Sequence, residues 1–189
     1  MDTSIRHIQH SHERPVAMLG AVLAIWVAIT VSGSALASAL DLSNTSDKTV
    51  TSGSLTASKN KNAIDADNAG ELTLTVDKNI DGSNKPTISA SDIKDSKFRI
   101  LDTGSITGTQ EGIRINSATN LTIANSGAIE SETSSAVFEG SNSGNRIAID
   151  NKGTIKGENK TIDLQSSVGT SIVNSGIIRT TDGDDTVML

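Results

Sequence analysis

From residue 98 onward the aliphatic residues recur two apart in short runs, the alternation of half-buried strands. They do not follow the three- and four-residue spacing of a helix face. Four segments superimpose on a glycine: Ile100-Leu-Asp-Thr-Gly104-Ser-Ile106, Ile123-Ala-Asn-Ser-Gly127-Ala-Ile129, Ile149-Asp-Asn-Lys-Gly153-Thr-Ile155 and Ile172-Val-Asn-Ser-Gly176-Ile-Ile178. Each has an Ile four residues before the glycine and another two after it. The position two before the glycine holds Asp102, Asn125, Asn151 and Asn174 in turn, and the glycines stand 23, 26 and 23 residues apart. A second arm with the same alternation follows nine to eleven residues later: Ile113 and Ile115, Val137, Ile162 and Leu164, then Val187.

A unit this short has one apolar face and nothing to bury it against. Coiled so that each unit lies on the last at the strand spacing of ~4.8 Å, the units make one continuous interior. The pattern therefore predicts an all-β chain, a right-handed parallel β-helix (a β-solenoid of pectate-lyase-like architecture) after an N-terminal signal helix. Gly104, Gly127, Gly153 and Gly176 are expected to supply positive φ at a corner. Asn125, Asn151 and Asn174 are expected to stack as an amide ladder.

The earlier chain keeps this rhythm less well. Val50-Thr-Ser-Gly53-Ser-Leu55 and Leu72-Thr-Leu74-Thr-Val76 echo the unit, so residues 40–76 are expected to form an N-terminal cap and first β turns. Around Asn79-Ile80-Asp81-Gly82 and Pro86 the rhythm fails, and 77–97 is expected to be an irregular connection. The regular coil is expected over 98–189, truncated inside a strand pattern at Leu189.

At the other end, a polar stretch with Arg6 and Arg14 precedes the apolar run Val16–Val31, and small residues follow to Ala39. That order describes a secretory signal peptide over 1–37, cleaved after Ala37 or Ala39. The run is 16 residues long, below the ~20 of a comfortable bilayer span. An uncleaved inner-membrane signal anchor is the alternative.

Composition then narrows the chemistry. There is no Cys, and His7, His10 and His12 all precede the apolar run, so the exported chain would lack every Cys- or His-based triad and zinc site. The aromatics are Trp26, Phe98 and Phe138 alone, too few for an ordinary globular core and suited to a narrow, repeated aliphatic one. With 16 Lys+Arg scattered among 22 Asp+Glu, net charge −6, nucleic acid is not an expected partner.

Asn125-Ser-Gly127-Ala-Ile129 and Asn174-Ser-Gly176-Ile-Ile178, with the looser Asn151-Lys-Gly153-Thr-Ile155 and Asp102-Thr-Gly104-Ser-Ile106, resemble the "N-S-G-x-I" turns of Gram-negative autotransporter passenger regions. Gly183-Asp184-Asp185-Thr186-Val187 is similar to that family's "GDDTV" strands. The resemblance covers roughly the last 90 residues. It implies the front part of a passenger, truncated before its translocator barrel and exported to the periplasm, cell surface or outside. The function it implies is that of an adhesin-like or structural surface module without catalytic chemistry.

The alternative is a fragment of a β-helical polysaccharide-acting enzyme, which would need convergent carboxylates and a base in one groove. Asp182, Asp184 and Asp185 are the one tight carboxylate cluster, candidates for an acid pair or for calcium. Adjacent strand residues point to opposite faces, and a single half-copy of a calcium-binding nonapeptide supplies too few oxygens. Arg114, Arg146 and Arg179 fall at different offsets from their glycines and are not expected to stack. No catalytic residue, cofactor or metal is therefore expected. The expected partners are a surface ligand, a host or cell-surface protein or glycan, and a second chain pairing edge to edge.

Overall fold

The computed structural model describes residues 40–140, 146–165, 167–183 and 186–189. The expected signal segment, with its two cleavage alternatives, lies outside them, as do Asp184 and Asp185. All described regular structure is β. Each turn of the chain contributes one strand to each of three parallel sheets, about six turns in all.

Sheet I stacks β1 (Leu40–Asp41), β4 (Ile64–Asp67), β7 (Ile88–Ser91), β11 (Ile113–Ile115), β15 (Val137–Glu139), β18 (Ile162–Asp163) and β21 (Val187–Met188). Sheet II stacks β2 (Thr49–Ser52), β5 (Thr73–Val76), β9 (Lys97–Ile100), β13 (Leu121–Asn125), β16 (Ile147–Asn151) and β19 (Ser171–Asn174). Sheet III stacks β3 (Leu55–Thr56), β6 (Asn79–Asp81), β10 (Ser105–Gly108), β14 (Ala128–Ser131), β17 (Thr154–Gly157) and β20 (Ile177–Thr180). Between sheets I and II, β8 (Ile93–Lys94) and β12 (Ala118–Thr119) form a short fourth pairing.

The interior is three aliphatic columns, one per sheet. Ile64, Ile88, Ile113, Val137 and Ile162 stack on sheet I. Val50, Leu74, Phe98, Ile123 and Ile149 do so on sheet II, and Leu55, Ile80, Ile106, Ile129 and Ile155 on sheet III. All are buried, and burying each side chain stabilises by about 1.5–3 kcal/mol relative to leaving it in water. β-branched side chains suit these half-buried pleats. One aromatic, Phe98, fits the interior.

Two expectations need correction. Residues 77–97 are no irregular connection: they supply β6, β7 and β8, and Ile80, Ile88, Ala90 and Ile93 lie in the core. The turn there uses Asp77-Lys78 where later turns have Thr-Gly, Ser-Gly or Lys-Gly, which hides the repeat from the sequence. The register at 98–106 also differs. Gly104 aligns with Gly127, since Ser105 pairs with Ala128. Before the glycine, however, Phe98 pairs with Ile123 and Ile100 with Asn125. Leu101 and Asp102 are extra corner residues, so Asp102 is exposed and stands outside the Asn column.

Candidate functional site

The Asn column is a real ladder. Asn125 Nδ2 donates to Asn151 Oδ1 at 2.7 Å, and Asn151 Nδ2 donates to Asn174 Oδ1 at 2.7 Å. Asn125 and Asn151 are buried and Asn174 is exposed. The side chains also reach backbone carbonyls, as Asn125 Nδ2 does to Thr154 at 3.0 Å and Asn151 Nδ2 to Ile177 at 3.2 Å. Below Asn125 the column continues as Ile100, which has nothing to donate, and Asn125 Oδ1 is left buried without a partner. The ladder holds the corner between sheets II and III.

The four glycines act differently from expectation. Among the described glycines only Gly169 and Gly183 have positive φ. A Cβ on Gly127 would lie 2.1 Å from the Gly104 carbonyl oxygen, one on Gly153 2.1 Å from that of Gly127, and one on Gly176 2.1 Å from that of Gly153. Gly104 meets the Val76 oxygen at 2.2 Å in the same way. The requirement is close approach of one corner to the next. Most left-handed positions lie between sheets I and II, where Asp47, Glu71, Asp95 and Asn120 repeat turn after turn with φ of 51, 52, 47 and 59°. There a side-chain hydrogen bond with Asp47, reinforced by the nearby Asp47 and Asp95 charges, raises the Glu71 pKa above its ordinary value.

The charged candidates do not converge. Asp182 is exposed near the last described corner. Among the described residues no group of three His, Cys, Asp or Glu side chains is placed to hold a metal ion. Arg114 and Arg179 belong to sheets I and III, and Arg146 immediately precedes β16 of sheet II. Arg114 contacts the buried Glu111 at 2.6 Å and lies 5.2 Å from the centre of the Phe138 ring, a partly buried ion pair with a cation–π contact.

Among the described residues, two cavities open elsewhere, on the outer side of sheet II. Its solvent-facing rows are Lys97 and Arg99 on β9, Thr122 and Ala124 on β13, and Ala148 and Asp150 on β16, paired in register. The short Thr122 and Ala124 of β13 leave a trough beside the long Lys97 and Arg99 of β9, with Ala148 and Asp150 on the β16 side. One cavity of about 200 Å³ opens at the start of β13, lined by Asn120, Thr122, Arg146, Ala148 and Gly169. Another of about 170 Å³ opens at its end, lined by Lys97, Arg99, Ala124, Ser126, Asp150 and Lys152. Sequence reading missed this trough because its residues meet only in the true register, two residues away from the glycine alignment.

No protein-family model, curated protein or solved structure matches the chain. Its chemistry must therefore be read from its own surface. The trough offers cations, hydroxyls and amides, with Asp150 as the one acid lining it.

Proposed function

We propose that this chain is an exported, adhesin-like surface module, the front part of an autotransporter-type passenger, whose role is to present a solenoid face and not to catalyse. The observation that carries this reading is the outer face of sheet II. It is a rigid, registered surface with a trough, built on an aliphatic core, with no convergent carboxylate set among the described residues. The Asn-Ser-Gly turns that resemble passenger repeats support the export and family parts of the reading. Edge-to-edge pairing with a further turn or a second chain belongs to it as well. β19 and β20 stand at the ends of their sheets, each paired on one side only among the described residues, and the inward Ile172 and Ile178 on them are only partly buried.

The test is to produce the full chain with an epitope tag in a Gram-negative host, fractionate the cells and sequence the N-terminus. The reading expects periplasmic, surface or medium material beginning at Ser38 or Leu40. Cytoplasmic chain beginning at Met1 would refute it.

A further inference from the structure

We propose that the trough along β13 binds a linear acidic glycan, with Lys97, Arg99, Arg146 and Lys152 as its anion-binding side chains. This deepens the reading of the outer face as a presentation surface and rests on it. The two cavities lie at opposite ends of one five-residue strand, Leu121–Asn125, one floored by its outward Thr122 and the other by its outward Ala124. Together they form a path of roughly 16 Å at ~3.3 Å per residue. One wall is β9 with Lys97 and Arg99; on the β16 side, roughly 10 Å across from β9, Asp150 and Lys152 close the far end and Ala148 leaves the near end open. That shape accepts an extended chain lying along β13.

Charge supplies the ligand class. Four cations and one carboxylate, Asp150, line the path of a chain whose net charge is −6. Lys152 Nζ stands 3.9 Å from Asp150 Oδ2, a loose surface pair. Lys97 and Arg99 are exposed and make no ion pair among the described residues. A positive trough on an acidic molecule draws anionic ligands and excludes cationic ones. The guanidinium of Arg99 can grip a carboxylate or sulfate through two parallel hydrogen bonds.

Two other polyanions fit less well. Bases of nucleic acid need aromatic platforms, yet Phe98 is wholly buried in the interior and Phe138 lies on sheet I under Arg114. An acidic peptide that binds as an added strand needs a free sheet edge, whereas β13 is paired on both sides, with β9 and β16. The trough therefore recognises through side chains alone. Asn120, Thr122 and Ser126 beside the cations match a ligand of hydroxyls and anionic groups.

The test is titration of the purified full chain with a heparin-derived oligosaccharide and an oligogalacturonate, against neutral dextran oligomers, single-stranded DNA and polyglutamate. The proposal expects binding to at least one acidic glycan, weakened by salt, and none to dextran. Lys97→Gln with Arg99→Gln should weaken it by about tenfold or more, the worth of lost hydrogen bonds to charged groups. Lys59→Gln with Lys61→Gln should leave it unchanged, and Asp150→Asn should tighten it. Ala124→Leu fills the trough without altering any charge, and it too should abolish binding. Circular dichroism confirms that each variant keeps its fold, since every changed side chain faces solvent. Glycan binding untouched by Ala124→Leu, or equal binding of DNA or polyglutamate, would overturn the proposal, as would no binding of either acidic glycan. These measurements use purified protein, so their failure is distinct from a failure of the export reading.

Discussion

Gly153→Ala tests what the repeated glycine does. Its Cβ would sit 2.1 Å from the Gly127 carbonyl oxygen and 2.7 Å from the Ser126 carbonyl carbon, with backbone as the obstacle in both cases. Real Cβ contacts stop near 3.0 Å, so the two corners must separate by roughly 0.9 Å, a strain that overpacked cores typically feel as about 1–3 kcal/mol. The same opening stretches the bonds from Gly153 N to Asn125 O, 3.1 Å, and from Thr154 N to Gly127 O, 2.9 Å. Each is worth about 1 kcal/mol, which brings the expected loss to about 3–5 kcal/mol. Gly70→Ala is the control, because a Cβ there meets nothing within 4 Å and its φ is not positive. It should be neutral, or stabilising by about 0.4–1 kcal/mol through the unfolded chain. Urea denaturation followed by circular dichroism reads both. Gly153→Asn discriminates further: a left-handed corner would tolerate Asn better than Ala, whereas a corner closed by backbone rejects both. A Gly153→Ala loss under ~1 kcal/mol, with Asn the milder change, would refute the close-approach account.

Other consequences follow from the same geometry. Asn151→Leu should cost about 2–4 kcal/mol, since it removes the acceptor of the Asn125 amide and the donor to the Asn174 carbonyl, while Asn174→Leu on the exposed rung should cost under ~1 kcal/mol; matched denaturation midpoints would contradict the ladder. Ile149→Asp places a charge at a position 1% exposed and should cost more than ~4 kcal/mol, read as lost β signal, whereas a cooperative, near-native melt would put Ile149 on the wrong face. The raised pKa of Glu71 means that its protonated form favours folding. That stabilisation is complete below the ordinary value of 4.5, and it fades as pH rises through the folded-state pKa. Melting temperature should therefore fall over that interval in the parent and not in Glu71→Gln; identical pH profiles would remove Asp47 and Glu71 from the account.

The parallel coil was legible because Ile and Val mark each turn twice, once on either side of a glycine. Inward faces could be assigned wherever that mark recurs, as at Ile123, Ile129, Ile149 and Ile155, all buried. The Asn ladder was legible for the same reason. The stretch 77–97 was not, because Asp77-Lys78 in the second turn lacks the glycine mark even though Ile80 occupies the same column as Ile106. Nor was the register at Ile100, whose identity imitates Ile123 while its position is that of Asn125. The trough depends on that register, and outward residues carry no periodic signal. Lys97, Arg99, Ala124 and Asp150 look like scattered surface residues until the turns are stacked. The role of the glycines was misread because close approach and positive φ leave the same trace in a sequence.

The central claim is that one uninterrupted coil runs from Leu40 through the third turn to the last. Thr49, Thr73, Lys97, Thr122, Ala148 and Ser171 form one outward column of sheet II through successive pairings. The chain has no Cys, so paired Cys substitutions with spin labels report distances directly. Labels at Thr49 and Thr122 span three strand spacings, and labels at Thr49 and Ser171 span five. Pulsed dipolar measurement should give narrow distributions near ~14 Å and ~24 Å at ~4.8 Å per turn. A broad distribution, or a Thr49–Thr122 distance well beyond three spacings, would contradict the continuous coil.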